Sequence, residues 1–221
     1  MSETTDPTGE LLAEPLPDAP FRMLVAWLDE ARAIPDLSTP DAMMVATVDE
    51  EGRPDARTVL CRGVDVEAGH LVFYGNRQSA KGRQLAANPV ATGVFYWDAL
   101  HRQVRVSGSV ERSPNDESNA YFDSRPRASR IAAWASRQSQ PLESRAQLLD
   151  AFHETARRFG GLEGEHLVPR PPHWGGYRLI ASRVELWVGS EIRIHDRVVW
   201  EREGSGPGAE RGPWNRTRLQ P

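Results

Sequence analysis

Cationic and hydroxyl-bearing side chains concentrate in three short stretches of this chain. Arg57, Arg62 and Lys81 flank the ends of strand-like segments in the first half. Tyr121, Ser124, Arg125, Arg127, Ser129 and Arg130 lie together in Tyr-Phe-Asp-Ser-Arg-Pro-Arg-Ala-Ser-Arg. Near the C-terminus Arg193, His195 and Arg197 alternate in Ile-Arg-Ile-His-Asp-Arg, and a strand there predicts all three on one face. Such groups repel one another unless an anion or a carboxylate neutralises them. Taken singly, each arginine reads as a surface partner for one of the 31 Asp and Glu residues. Guanidinium forks beside Ser and Tyr hydroxyls are also the groups that hold phosphate oxygens. Two separate clusters with hydroxyl partners therefore point to phosphorylated small ligands.

Gln103, inside a strand pattern, is expected on the inner face. A buried amide needs partners there, and a heteroaromatic ring with alternating donors and acceptors supplies them. Trp97, Trp134, Trp174 and Trp187 read first as core.

Other chemistries fail on spacing. There is no Walker A loop, and the dense glycine run at 204–208 does not join a strand to a helix. His153-Glu154 lacks a second histidine four residues after the first, and no Gly-x-Ser-x-Gly elbow occurs. A single cysteine, Cys61, excludes an internal disulfide and any multi-cysteine zinc site, so no metal is expected. The net charge of −4 argues against non-specific nucleic-acid binding. No apolar run reaches the ~18 residues of a membrane helix. The first twenty residues are acidic, without Lys or Arg, the reverse of a signal peptide; a soluble cytoplasmic protein is the default reading.

These residues need a scaffold. At about 150 residues per domain, 221 residues suggest one domain with extensions. Residues 1–19 read as a flexible acidic, Pro-rich tail and 20–221 as the domain. Phe21, Leu24, Val25 and Leu28 mark one face of a helix ending near Pro35. From Ala42 to Glu111 the apolar period changes to that of strands, interrupted by a short helix that Ser79 caps. Helical patterns follow from Ser113-Pro114 and over 143–159. Strand patterns return at 177–187 and 192–200, and 214–219 reads as a last short strand after the flexible loop 204–208. The class is α+β: a closed or partly closed barrel of about six to seven antiparallel strands with peripheral helices.

In order along the chain, Arg-Thr-Val-Leu (57–60), Val-Phe-Tyr (72–74), Ser-x-Lys-Gly-x-Gln-Leu (79–85), Arg-Gln-Val (102–104) and Tyr-Phe-x-Ser-Arg-Pro (121–126) come first. Ser-Arg-Gln-Ser (136–139), Trp-Gly-Gly-Tyr-Arg (174–178) and Arg-Ile-His-Asp-Arg (193–197) complete the set. The span from about residue 20 onward resembles the pyridoxamine 5'-phosphate oxidase family. The resemblance implies an FMN-binding split β-barrel homodimer with two flavin sites at the subunit interface. By motif, Arg57, Lys81, Gln138 and Ser139 hold the FMN phosphate and ribityl end, and Tyr74, Gln103, Trp187 and Arg197 surround the ring or its tail. Arg62, Tyr121, Arg125 and Ser129 take the phosphate of a pyridine substrate. Arg193 and His195 lie over its ring and reacting carbon, as the catalytic pair. The implied reaction passes a hydride equivalent from substrate to flavin and then to O2, giving H2O2 and, from an amine, an imine that water converts to the aldehyde.

Two positions depart from the family pattern. Arg62 stands where lysine is common, and Ala80 where arginine usually precedes the FMN lysine, which removes one cationic contact. Lys-Gly-Arg-Gln-Leu (81–85) and Gly-Val-Phe-Tyr-Trp (93–97) also look like phenazine-biosynthetic flavin oxidases, which act on tricyclic precursors. Tyr121, Arg125 and Ser129 weigh against that branch, since a phosphate-free substrate does not require them. A flavin- or pyridoxal-phosphate-binding protein without turnover is the third reading.

Overall fold

In β1 (Ala42–Val48) Met43, Val45 and Thr47 are buried while their neighbours are not, the period of two that makes one strand face a core. β4 (Val90–Trp97) and the first half of β5 (Arg102–Arg112) keep this alternation, and β2 (Pro54–Asp65), β3 (His70–Asn76), β6 (Trp174–Val188), β7 (Asp196–Glu201) and β8 (Asn215–Leu219) complete the strands, β3 and β6 being buried on both faces over much of their length. These assignments come from a computed structural model that describes residues 12, 14–204 and 210–221.

All eight strands form one antiparallel sheet in the order β3-β2-β1-β4-β5-β6-β7-β8, and an added β3–β6 pairing closes the first six into a barrel. Closure removes the open edges that β3 and β6 would otherwise expose. β6 has 15 residues and serves two neighbours along one side. Its first half pairs with β3, His70 opposite Ile180 through Asn76 opposite Trp174; its second half pairs with β7, Arg183 opposite Glu201 through Val188 opposite Asp196. β5 runs along the other edge with a register shift at Ser107/Gly108. A Cβ on Gly108 would stand 1.8 Å from the Ile180 carbonyl oxygen, so the shift demands glycine.

Phe73, Phe95, Trp97, Val104, Leu179, Leu186 and Trp200 fill the interior. Helix α1 (Phe21–Arg32) packs onto this core with Phe21, Leu24, Trp27, Leu28 and Ala31. Helix α2 (Ala80–Ala87) begins at Ser79, whose Oγ accepts from the Gly82 amide. Helices α3 (Asn115–Ser124), α4 (Arg127–Ala135) and α5 (Arg145–Arg158) follow β5. Pro114 and Pro126 stand just before α3 and α4 with extended ψ, so each proline precedes its helix. A small second core of Ile131, Ala156 and Val168 joins α4 to α5.

The structure corrects three expectations. The strand over 192–200 starts only at Asp196; Arg193 has φ +64° in a turn, so Arg193, His195 and Arg197 do not share one strand face. Gln103 points away from the core, because Val104 and Val106 take the inner positions of β5. Part of the expected tail is anchored: Leu12 is buried, its amide donates to Asp196, and the Trp200 indole donates to the Pro17 carbonyl. Residues 1–11 and 13, and the loop at 205–208, lie outside the described residues.

Candidate active site

A cleft of about 820 Å³ opens between β2, the end of β3, the start of α2, and the α3–α4 segment with the turn at 136–139. This size suits a cofactor or drug-sized ligand. Nine residues expected from the sequence meet in its wall: Arg57, Arg62, Tyr74, Lys81, Tyr121, Arg125, Ser129, Gln138 and Ser139.

One group centres on Lys81. Its side chain crosses over Gly75, where a Cβ would stand 2.8 Å from Lys81 Cε. The residue is only 6% exposed, and Nζ donates to Ser79 Oγ at 3.1 Å and to Gln138 Oε1 at 3.3 Å. Both partners are neutral. Burial, with Arg57 as a second cause, pulls the ammonium down to about 8. A buried ammonium without a carboxylate beside it is a ready partner for an anion. Next to Gln138, Ser139 holds φ +67°, a conformation non-glycine residues adopt rarely and mostly where the surroundings impose it. Arg57 Nη1 donates to Val45 O and Thr47 Oγ1, and Nη2 to Asp55 and Gln84.

A second group gathers around the junction of α3 and α4, with side chains from β2, β3 and β6. Tyr74, Tyr121 and Trp174 form a stack of near-parallel rings, Tyr74 to Tyr121 at 4.0 Å and Tyr74 to Trp174 at 5.4 Å. The Arg125 guanidinium sits 4.8 Å above Trp174. Its backbone is extended because Pro126 follows, which ends α3 there. Arg125 Nη1 is buried with no hydrogen-bond partner, and no ion pair with Asp123 forms. Burial lowers its affinity for its proton, with no carboxylate to offset the effect. Tyr74 OH donates to Glu117, and burial first, then Glu117, raises its phenol. Arg62 completes the group, 3.7 Å from Asp41.

Gln103, Trp187, Arg193, His195 and Arg197 do not line this cleft. Gln103, Trp187 and Arg197 belong to the outer face of the sheet, and Arg193 and His195 to the turn before β7. Tyr96, Gln103, Trp187 and Arg197 are cross-strand neighbours in one row over β4, β5, β6 and β7. His195 packs against Trp187, the rings tilted by 47° with centroids 4.7 Å apart. Its Nδ1 accepts from the Ser190 amide at 3.0 Å, which leaves Nε2 as the ring's outward donor. Arg197 donates through Nε and Nη2 to Glu185, a carboxylate 2% exposed that also pairs with Arg105 and Arg183.

Sequence reasoning missed the groups that hold these residues. Trp174 was read as core and is both buried and part of the cleft wall. Glu117, Thr47 and Glu185 belong to none of the motifs, and Gln84 lies in one without a role assigned to it; each matters through a partner distant in sequence. Among the described residues no group of His, Cys, Asp or Glu could hold a metal ion, and no helix is long and apolar enough to cross a membrane.

Comparison with known proteins identifies relatives of this chain. The family profile described as pyridoxamine 5'-phosphate oxidase matches residues 28–158. A second, described as the pyridoxine 5'-phosphate oxidase C-terminal dimerisation region, matches residues 174–221. A pyridoxine/pyridoxamine 5'-phosphate oxidase of Rubrobacter xylanophilus is 49% identical over 202 residues, 91% of this chain and 87% of the relative. One from Paraburkholderia phytofirmans is 48% identical over 91% of this chain and 89% of its own length. Among solved structures, PhzG of Burkholderia lata 383, in complex with tetrahydrophenazine-1-carboxylic acid, superposes with a TM-score of 0.83 at 28% identity, covering 98% of this chain and 100% of that one. Motif order, barrel and profile matches converge, and the chain belongs to the pyridoxamine 5'-phosphate oxidase family.

Proposed function

We propose that the protein is an FMN-dependent oxidase that converts pyridoxamine 5'-phosphate or pyridoxine 5'-phosphate to pyridoxal 5'-phosphate, with O2 as acceptor and H2O2 as product. The observation that carries this reading is one cleft with two cationic groups, Arg57 with Lys81 and Arg62 with Arg125. Two phosphate-bearing ligands, cofactor and substrate, account for both. Arg57 and Arg62 lie five residues apart on β2, about 16 Å along an extended strand, so a single phosphate does not serve both.

The residues present fit FMN: buried Lys81 has only neutral partners, and Gly75 leaves the space it occupies. When bound, FMN supplies a two-electron acceptor that O2 can reoxidise. Lys81, Arg57, Gln138 and Ser139 hold its phosphate and ribityl end, and Tyr74 contributes to the wall beside it. Tyr121, Arg125, Ser129 and Arg62 fix the substrate phosphate and so set where the reacting carbon lies.

The remaining site residues sit on the outer sheet face or in the turn before β7, within or beside the matched dimerisation region. A homodimer brings them to the cleft: the partner subunit's Gln103, Trp187 and Arg197 close over the flavin ring. The partner subunit's Arg193 and His195 orient the substrate, with His195 Nε2 free to hold or move a proton. Tyr96, 57% exposed in the same row, is surface that such an interface covers.

The deciding experiment is an oxidase assay of FMN-loaded protein with pyridoxine, pyridoxamine and their 5'-phosphates. H2O2 should form with the phosphorylated compounds at low concentration and with the others only weakly. No H2O2 from either phosphate ester would overturn the reading. The likeness to PhzG favours one alternative, oxidation of a tricyclic phenazine precursor. Turnover of such a precursor in preference to both phosphate esters would support it.

A further inference from the structure

We propose that Asp55 is a built-in competitor of the cofactor phosphate: its carboxylate engages Arg57 in the cofactor-free protein and weakens FMN retention. This inference rests on the functional reading above and goes beyond it, since Asp55 belongs to none of the motifs that carried the resemblance.

The hydrogen-bond inventory of Arg57 gives the sign. A guanidinium has five N–H donors. Nη1 spends two on Val45 O at 3.2 Å and Thr47 Oγ1 at 2.5 Å. Nη2 spends two on Asp55 Oδ2 at 2.5 Å and Gln84 Oε1 at 2.8 Å. Nε–H alone has no partner among the described residues. A phosphate arriving at Arg57 therefore meets one free donor, and gains a second only where Asp55 gives way.

Asp55 is placed to compete. It lines the same cleft and is held from the far side by Gln84, whose Nε2 donates to Oδ2 at 3.1 Å. The Gln84 bond first, then Arg57, keeps its carboxyl below the usual carboxylate range, so it stays ionised. Its side chain is 48% exposed and occupies an Arg57 donor that a phosphate would otherwise use. The next residue before Lys81 is Ala80, which offers no charge to offset it. Removing the carboxylate does not release Arg57, because Val45 O and Thr47 Oγ1 still fix Nη1. The carboxylate thus opposes the phosphate and is dispensable for orientation.

The test is a titration of cofactor-free protein with FMN and with riboflavin, which lacks the phosphate, followed by quenching of flavin fluorescence. Asp55→Asn keeps the size and an acceptor for Gln84. It should lower the FMN dissociation constant about tenfold and leave that of riboflavin within about twofold. Asp55→Ser, a smaller change, should act in the same direction and guards against a variant that folds poorly; melting curves of the cofactor-free proteins check this. Unchanged or weaker FMN binding in both variants would overturn the proposal, as would an equal gain for riboflavin. Failure of every form to bind either flavin would instead overturn the functional reading, and this inference with it.

Discussion

Lys81 ties cofactor binding to pH. Its ammonium lies at about 8 without a ligand, and a phosphate beside it raises that value. Binding therefore takes up a proton whenever Lys81 starts neutral. Affinity is complete below about pH 8 and is lost as pH rises through the free value toward the higher bound one. The FMN dissociation constant should climb toward about tenfold per pH unit above that point. Lys81→Met should flatten this profile and weaken binding at neutral pH by about 1.5–3 kcal/mol, the worth of a charge-assisted hydrogen bond. Fluorescence titrations at several pH values read both effects. Arg125 gives a separate expectation. With its buried Nη1 awaiting a partner, Arg125→Ala should raise KM for pyridoxamine 5'-phosphate by about tenfold or more. The flavin spectrum and kcat should change little. An unchanged KM would mean that the phosphate lies elsewhere.

Two contacts between elements decide whether the cleft keeps its shape. Gly108 sits where β5 and β6 shift register, with the Ile180 carbonyl 1.8 Å from any added Cβ. Gly108→Ala should cost about 3 kcal/mol or more in denaturant unfolding. Gly161, with φ +89° and open space around it, should cost only about 1–2 kcal/mol as alanine. Arg127, at the start of α4, donates to three carbonyls beyond α5, those of Phe159, Gly161 and His166. Arg127→Met should speed amide exchange through residues 159–166, and lysine should rescue little because it lacks the planar fork. Much of this architecture is legible in the sequence. The apolar period marks β1 to β6, and Ser79 and the prolines mark where helices begin. Ile-Arg-Ile-His misleads because alternation alone cannot reveal that Arg193 turns into the left-handed region. Gln103 misleads for another reason: a period of two says which residues share a face, and only Val104 and Val106 say which face is inside.

In the whole molecule the site residues fall into two groups, nine around the cleft and five away from it. A sequence lists them together, and no spacing rule separates residues that one chain unites from residues that two chains unite. The division itself supplies a test. Lys81→Met breaks the cleft group and His195→Ala the outer group. Refolding the two variants together gives dimers of mixed composition, in which one of the two sites escapes both lesions. Assayed at an FMN concentration too low to fill the Lys81→Met cleft, activity should return to roughly a quarter of the wild-type level with random pairing, well above that of either variant alone. No recovery, or an active monomer by light scattering, would show that each chain works by itself.

β6 runs through both groups: Trp174, at its first residue, stands in the cleft wall, and Trp187, near its last, in the outer row. Thirteen residues of extended backbone separate the two indoles, about 43 Å of unbroken chain. That strand is a ruler. In a paired molecule it fixes the spacing between two pockets more than it shapes either one. A single residue inserted near Ser182 and absorbed as a bulge would leave the hydrogen-bonded row formed on each side and Leu186 in the core. Barrel and dimer then survive while the pockets fall out of step.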